Sequence, residues 1–396
     1  MSKSERILLL FILLLIVIGQ ASIDIYLPSL PSIMRQFAVP VQSAQMTLSA
    51  FLLGFGVSQI FYGPLSDRFG RKPILLFGMC LFLVVTLALT QATSVEMFFA
   101  MRVLQGVTMG AASVCARAMM RDTFSGDKLL VAASYMAMAW AMVPILAPAL
   151  GGYIEQYLRW QYSFYLLVGI VAAMLFMLCF IAESNKNKTP SLSLSAVSRS
   201  YLMLFKSADF NLNVVILSLL FGVFSIVNIA SPIIYQRVFH FTALQYGLTM
   251  LVISIGYLLG SYVNKRVVVR EKKRAVVSKS ILLLLIVSLS YGLFVFYFSG
   301  QSLLTMIYIF IIYLLLGFVF ANCLSDCLSP FQRNAGSASA MYGFVVFITG
   351  FVISYIYAHY FTTSVLTMTL GALTLSLLMF FPNRYLSRQQ KSRVTA

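Results

Sequence analysis

Long apolar runs alternate with short polar breaks along the whole chain. Cutting the runs at clusters of charge or turn residues predicts twelve segments, at 7–29, 44–65, 73–91, 97–118, 129–152, 161–182, 209–232, 243–263, 276–298, 303–325, 335–358 and 361–382. Each is close to the ~20 apolar residues that cross a bilayer as a helix. Lipid gives the backbone no hydrogen-bond partners, so each segment must satisfy its own N–H and C=O groups as a helix. The expected fold is all-α and integral to the membrane. The longest interior polar stretch, Glu183 to Asp209, holds Asn-Lys-Asn-Lys-Thr-Pro and a Ser-rich run. It reads as a linker, residues 183–208, between six spans in 1–182 and six in 209–396.

Composition agrees with lipid as the solvent. Hydrophobic residues make up 60% and charged residues 10%, against about 25% charged in a soluble domain. Mean hydropathy is +0.92. A soluble enzyme, a disordered chain and a secreted disulfide scaffold are excluded. The net charge of +17 finds its explanation in topology. With the N-terminus in the cytoplasm, 24 of the 28 Lys and Arg fall on the inner side, as the positive-inside rule expects. The outer side receives Arg35, Arg159 and Arg237, and Arg102 falls inside span four. Both termini are then cytoplasmic, and the basic loops face anionic lipid; a nucleic-acid partner is unnecessary. Five cysteines, with no CxxC pattern, read as small buried apolar residues. Two histidines far apart give no metal site. The N-terminus imitates a signal peptide, but its apolar run is too long. It reads as an uncleaved first span.

An internal repeat supports two halves. Gly63-Pro64-Leu65-Ser66-Asp67-Arg68 follows span two, and Gly260-Ser261-Tyr262-Val263-Asn264-Lys265 follows span eight, 197 residues later. Duplicated halves enclosing a midplane site are a common build of secondary transporters.

The most specific motif extends the first of these segments: Gly63-Pro64-Leu65-Ser66-Asp67-Arg68-Phe69-Gly70-Arg71-Lys72-Pro73. It is expected to form a tight inner loop, with glycines for the turn and its charges in water. The GxLxDRxGRK string resembles motif A of the major facilitator superfamily. Arg102-Val103-Leu104-Gln105-Gly106 resembles that family's RxxQG motif. Pro144-x3-Pro148-x2-Gly151-Gly152 resembles its antiporter motif, with Val143 where a glycine is usual. Asp24-Ile25-Tyr26-Leu27-Pro28-Ser29-Leu30-Pro31 resembles the opening of the Bcr/CflA-type drug-resistance transporters. So do Met120-Arg121-Asp122, Ser225 to Tyr235, and Gly336-Ser337-Ala338-Ser339. The resemblance implies the major facilitator fold, two pseudo-symmetric six-helix bundles in a bacterial inner membrane. It also implies that Asp67 closes the cytoplasmic side against the helix starting near Gly336, with Arg71 and Asp122 as a charge relay. Gly63, Arg68 and Gly70 belong to the same gating segment. The proline–glycine motif implies export or antiport.

Asp24 is the foremost candidate for chemistry. From Ile7 it stands 17 residues along the first span, about 26 Å of helix. Ionisable groups inside a membrane segment are costly and point to function. Removal from water favours the neutral acid, which would make Asp24 a proton carrier; the alternative is a helix-end carboxylate facing water before Pro28. Arg102 lies at similar depth. It is expected either to pair with Asp24, the only acid assigned to a span interior, or to snorkel to the interface. Gln20, Asp24, Tyr26, Gln105 and Asn228 are candidates for contact with substrate, Gln20 and Asn228 being on the first helix of each half.

The function expected is proton-coupled export of small amphiphilic or lipophilic compounds. Aromatics at 14% and 20 Met suit adaptable binding. The partners are then substrate, protons and the bilayer, and the working unit is a monomer. The nearest alternative is the same machine with one cargo, such as a siderophore, small peptide or sugar. A channel or an intramembrane enzyme is remote: clustered nucleophiles, bases and metal ligands are missing, and so is a filter repeat. GxxxxGK[ST] is absent, so no nucleotide or other cofactor is expected and the energy source is an ion gradient or the cargo's own.

Overall fold

A computed structural model describes residues 2–185, 202–328, 330–331 and 335–395. Among these residues there are no strands and twelve helical segments long and apolar enough to cross a membrane. The first segment has three parts. Helix α1 (Lys3–Asp24) starts at a capping box of Ser2 and Glu5, which satisfies two backbone donors at the open helix end. A 3-10 turn (Leu27–Ser29) and α2 (Leu30–Phe37) follow. Pro28 and Pro31 cannot donate backbone hydrogen bonds, so the helix breaks just past Asp24.

Five more spans complete the first half: α3 (Val41–Phe69), α4 (Arg71–Thr90), α5 (Val95–Thr123), α6 (Gly126–Tyr157) and α7 (Gln161–Cys179). The second half contains α8 (Ala208–Ile233), α9 (Ala243–Arg270), α10 (Lys273–Phe298), α11 (Ser302–Leu328), α12 (Ala335–Tyr360) and α13 (Val365–Thr395). Helix α8 repeats the design of α1. It carries Pro232 near its end and passes into a π-helical turn (Ile234–Val238). An even number of crossings puts both termini on one face, called the basic face below. Residues 186–201, the body of the expected linker, lie outside the described residues.

Apolar burial does not drive helices together in lipid, where association depends on close packing at small residues. Each half uses a reciprocal pair of glycines. In the first, Gly54 of α3 packs against the Val103 carbonyl of α5, and Gly106 against the Phe51 carbonyl. In the second, Gly260 of α9 packs against Leu314 of α11, and Gly317 against Tyr257. A Cβ at any of the four would collide with backbone. The halves meet along two further pairs, α3 with α12 and α6 with α9.

The structure departs from expectation at the inner loop and at two of the cysteines. Gly63 to Phe69 are the last turns of α3, which runs on through Pro64, so they form no loop. The inner connection shrinks to Gly70, whose φ of 106° is open to glycine and costly for other residues. Gly63 has open space around it, so tightness of the turn does not explain it. Of the cysteines, Cys115, Cys323 and Cys327 are buried, whereas Cys80 and Cys179 are exposed on the outer surface of the bundle.

Candidate functional site

Asp24 ends α1 and is 1% exposed, so it is no water-facing helix end. Both carboxylate oxygens are held by amides. Gln20, one turn earlier, donates from Nε2 to Oδ2 at 2.9 Å. Asn228 of α8 donates from Nδ2 to Oδ1 at 3.3 Å. Asn228 in turn accepts at Oδ1 from the Tyr313 hydroxyl of α11, also at 3.3 Å. The structure thus brings Gln20, Asp24 and Asn228 together across the boundary between the halves. Asp24 stands four residues before Pro28 and Asn228 four before Pro232. A proline removes the amide to which the carbonyl four residues earlier would bond, so both residues stand where the helical hydrogen-bond ladder loses a donor. The pair is a pseudo-symmetric one, at an offset of 204 residues. Comparing the two Pro segments would have revealed it in the sequence. Tyr313, which had no distinguishing motif, would not have been found.

The expected pairing of Asp24 with Arg102 is not made. Among the described residues no ion pair within 4.0 Å joins them. Snorkelling is also excluded, since Arg102 is fully buried. Its charge is satisfied by dipoles instead. Nη1 donates to the Ser22 carbonyl at 3.0 Å and to Gln105 Oε1 at 2.6 Å, and Nε donates to the Thr47 carbonyl at 3.3 Å. The guanidinium carbon lies 4.2 Å from the Tyr26 ring centre and 4.7 Å from that of Phe51. Nη2 has no hydrogen-bond acceptor, and the π faces supply its counter-field. Gln105 passes the network to Thr86 of α4 at 2.9 Å, and the Tyr26 hydroxyl bonds Thr47 at 3.2 Å. Tyr26 and Gln105 are therefore partners of Arg102, not of the Asp24 cluster. The motif ties α1, α3, α4 and α5 into one body.

The proline–glycine motif of α6 closes the face opposite the basic one. Gly151 packs on the Ile25 carbonyl, and Gly152 packs on Ala243 and Gly247 of α9. Pro148 leaves the Pro144 carbonyl without its helical donor, and Ser254 of α9 supplies one at 3.0 Å. More hydrogen bonds join the halves on this side. Gln45 donates to the Ile229 carbonyl at 2.7 Å, Gln236 donates to the Pro28 carbonyl at 2.9 Å, and Ser49 meets Ser354 at 2.7 Å.

At the basic face, Arg71 binds Asp67 at 2.5 Å and Asp122 at 3.0 Å. The gating acid Asp67 and the relay acid Asp122 share one guanidinium. Arg68 is exposed and leans over Phe69. Glu183, which sequence reasoning left in the linker, accepts from the backbone amides of Arg71 and Lys72, both at 3.0 Å. Here a carboxylate caps the open N-terminus of α4. The expected contact of Asp67 near Gly336 falls on a residue whose surroundings are outside those described. Asn264, the repeat partner of Asp67, bonds Asn322 at 2.9 Å, whereas the second half's charge pair is Arg274 with Asp326 at 3.6 Å.

A family model described as Major Facilitator Superfamily matches residues 10–354. The chain belongs to the Major Facilitator Superfamily. It is 33% identical over 273 residues to a bicyclomycin resistance protein homolog of Haemophilus influenzae, covering 68% of each chain. It is 34% identical over 205 residues to multidrug resistance protein D of Escherichia coli, covering 52% of this chain and 51% of that one. These relatives are of the Bcr/CflA type that the opening motif resembles. Among solved structures, the xylose transporter XylE from E. coli, in a partially occluded inward-open conformation, aligns with a TM-score of 0.75. Identity there is 13%, over 96% of this chain and 97% of that one, so that likeness concerns the major facilitator fold. The chain is a multi-pass membrane transporter of small molecules, not an enzyme.

Proposed function

We propose that this transporter exports small amphiphilic or lipophilic compounds in exchange for protons, by alternating access. The observation that carries the reading is the buried Asp24, held by Gln20 of its own half and Asn228 of the other. The protonation state of a buried carboxyl is set by the partners that face it. Parting the halves at the face opposite the basic one removes Asn228 and admits water. Conformation and proton binding at Asp24 are then coupled, each shifting the other. Arg102 serves that site by holding the Ser22 carbonyl, two residues before Asp24. It positions the acid and does not neutralise it.

Export as the direction is supported by the α6 motif and by relatives named for resistance to bicyclomycin and to multiple drugs. The distribution of Lys and Arg supports a cytoplasmic basic face, with both termini inside and the chain in a bacterial inner membrane. The proton gradient replaces any cofactor, and a monomer suffices because one chain carries both halves. The test is ethidium accumulation in proteoliposomes under an imposed pH gradient, followed by competition with a panel of lipophilic cations, siderophores, peptides and sugars. Gradient-driven ethidium transport that many lipophilic compounds compete for is expected. Transport of one cargo only, or transport indifferent to the gradient, would overturn the reading.

A further inference from the structure

Beside the Asp24 cluster, toward the basic face, lies a cavity between the halves. It is lined by Trp140 and Pro144 of α6, Phe224 of α8, Tyr257 of α9, and Tyr313 and Phe320 of α11. In this conformation it holds about 20 Å³, room for one water, so a larger guest enters only as the halves part. No charged side chain lines it. Trp140 and Phe320 are nearly parallel, 7° apart with centres at 5.5 Å, and the Tyr257 ring stands edge-on to Trp140 at 6.0 Å. The walls offer aromatic faces from both halves.

One polar group connects this cavity to Asp24. Tyr313 lines it, and its hydroxyl donates to Asn228 Oδ1, whose Nδ2 donates to Asp24. Every bond in the chain points the same way, from the cavity toward the carboxylate. That polarity gives the coupling a sign. A guest that donates a hydrogen bond to the Tyr313 oxygen leaves both inner bonds intact and polarises them. The charged form of Asp24 is then favoured, and its proton leaves for water. A guest that instead takes the Tyr313 hydrogen breaks the chain and has the opposite effect. Only the first sign gives exchange.

We infer that this cavity is the cargo site for flat aromatic molecules bearing an N–H or O–H donor, and that Tyr313 and Asn228 are positioning residues carrying cargo binding to Asp24. The inference rests on Asp24 as the proton carrier. Of the charged and titratable groups on the surrounding elements, Arg102 of α5 bonds the Ser22 carbonyl, Tyr26 on Asp24's own segment bonds Thr47, and Tyr246 of α9 bonds Ser231. Packing of α6 and α7 against this stretch is through Gly151 and Phe164. None of these offers a second hydrogen-bonded route from the cavity to the carboxylate.

The experiment is calorimetric titration of the purified full-length protein with ethidium, a flat aromatic cation with amine donors. Runs in two buffers of different ionisation enthalpy give the protons released per ethidium bound. The variants are Tyr313→Phe, Asn228→Leu, Asp24→Asn and Trp140→Leu. Tyr313→Phe keeps the ring and the cation's field and removes only the hydroxyl. Wild type is expected to release protons, Asp24→Asn none, and both relay variants about fivefold less, as for one lost hydrogen bond. Ethidium affinity in Tyr313→Phe is expected to lose most of its pH dependence, and affinity in Trp140→Leu to fall about tenfold, as for a lost aromatic wall. Wild-type proton release in both relay variants would overturn the relay while leaving Asp24 as carrier. Release that persists in Asp24→Asn would instead overturn the proton-carrier reading. Wild-type affinity in Trp140→Leu would remove the cavity as the cargo site.

Discussion

Replacing Gly247 with alanine tests how the face opposite the basic one is closed. A Cβ at this position on α9 would stand 3.0 Å from the Cα of Ala149 and closer still to the Pro148 carbonyl oxygen. Both neighbours are backbone of α6, so no flexible side chain can yield. The helices must separate by on the order of 1 Å, an over-packing change that costs about 1–3 kcal/mol. The contact exists only while this face is closed. The cost therefore falls on one conformation and shifts the equilibrium about 5–150-fold toward the open one. Distances between spin labels at the far ends of α6 and α9 measure the populations. A longer-distance population is expected to grow in Gly247→Ala and, through Ala243 and Gly247, in Gly152→Ala. Ethidium turnover should fall because closure limits the cycle. Distance distributions equal to wild type in both variants would refute the reasoning, since the overlap would have been relieved without opening.

Further outcomes follow from the other contacts. Glu183→Gln weakens the cap on α4 and should cost about 0.5–2 kcal/mol, read as a lower melting temperature in detergent; an unchanged melt would remove Glu183 from the cap. Arg102→Met leaves the Ser22 and Thr47 carbonyls without their donor, at about 1–3 kcal/mol each, whereas Arg102→Lys retains the charge without the planar fork. Both should lose transport, Met with a clear loss of thermal stability; full activity in the Lys variant would show that charge alone suffices. Asp67→Asn leaves Arg71 with Asp122 and the Ser66 hydroxyl and should change turnover more than cargo affinity, and wild-type turnover would end the gating role.

The fold was legible because lipid imposes a simple rule. A membrane helix must be long and apolar, and its breaks are charged, so the twelve spans and their halves could be read from the chain. Chemistry was legible where it was rare. Asp24, Gln20 and Asn228 stand out as polar residues in apolar runs, and the structure brings them together. The partner of Arg102 was misjudged because elimination considered side chains alone. Two carbonyls, an amide oxygen and two aromatic faces stabilise the guanidinium, and backbone dipoles have no signature in sequence. Gly63 was misplaced because the Gly63 to Pro73 motif was read as a tight loop, whereas the helix continues through Pro64 to Phe69. Tyr313 was hidden among 21 tyrosines; only its position at the end of the Asn228 amide distinguishes it.

Exchange as proposed depends on the proton being carried by Asp24. Its most direct test is the pH change outside weakly buffered proteoliposomes, loaded at low internal pH, when ethidium is added to the outside. Wild type is expected to move protons outward in proportion to ethidium taken up, and Asp24→Asn to show neither gradient-driven uptake nor the accompanying proton movement while still binding ethidium. Ethidium-driven proton movement of wild-type size in Asp24→Asn would contradict the account.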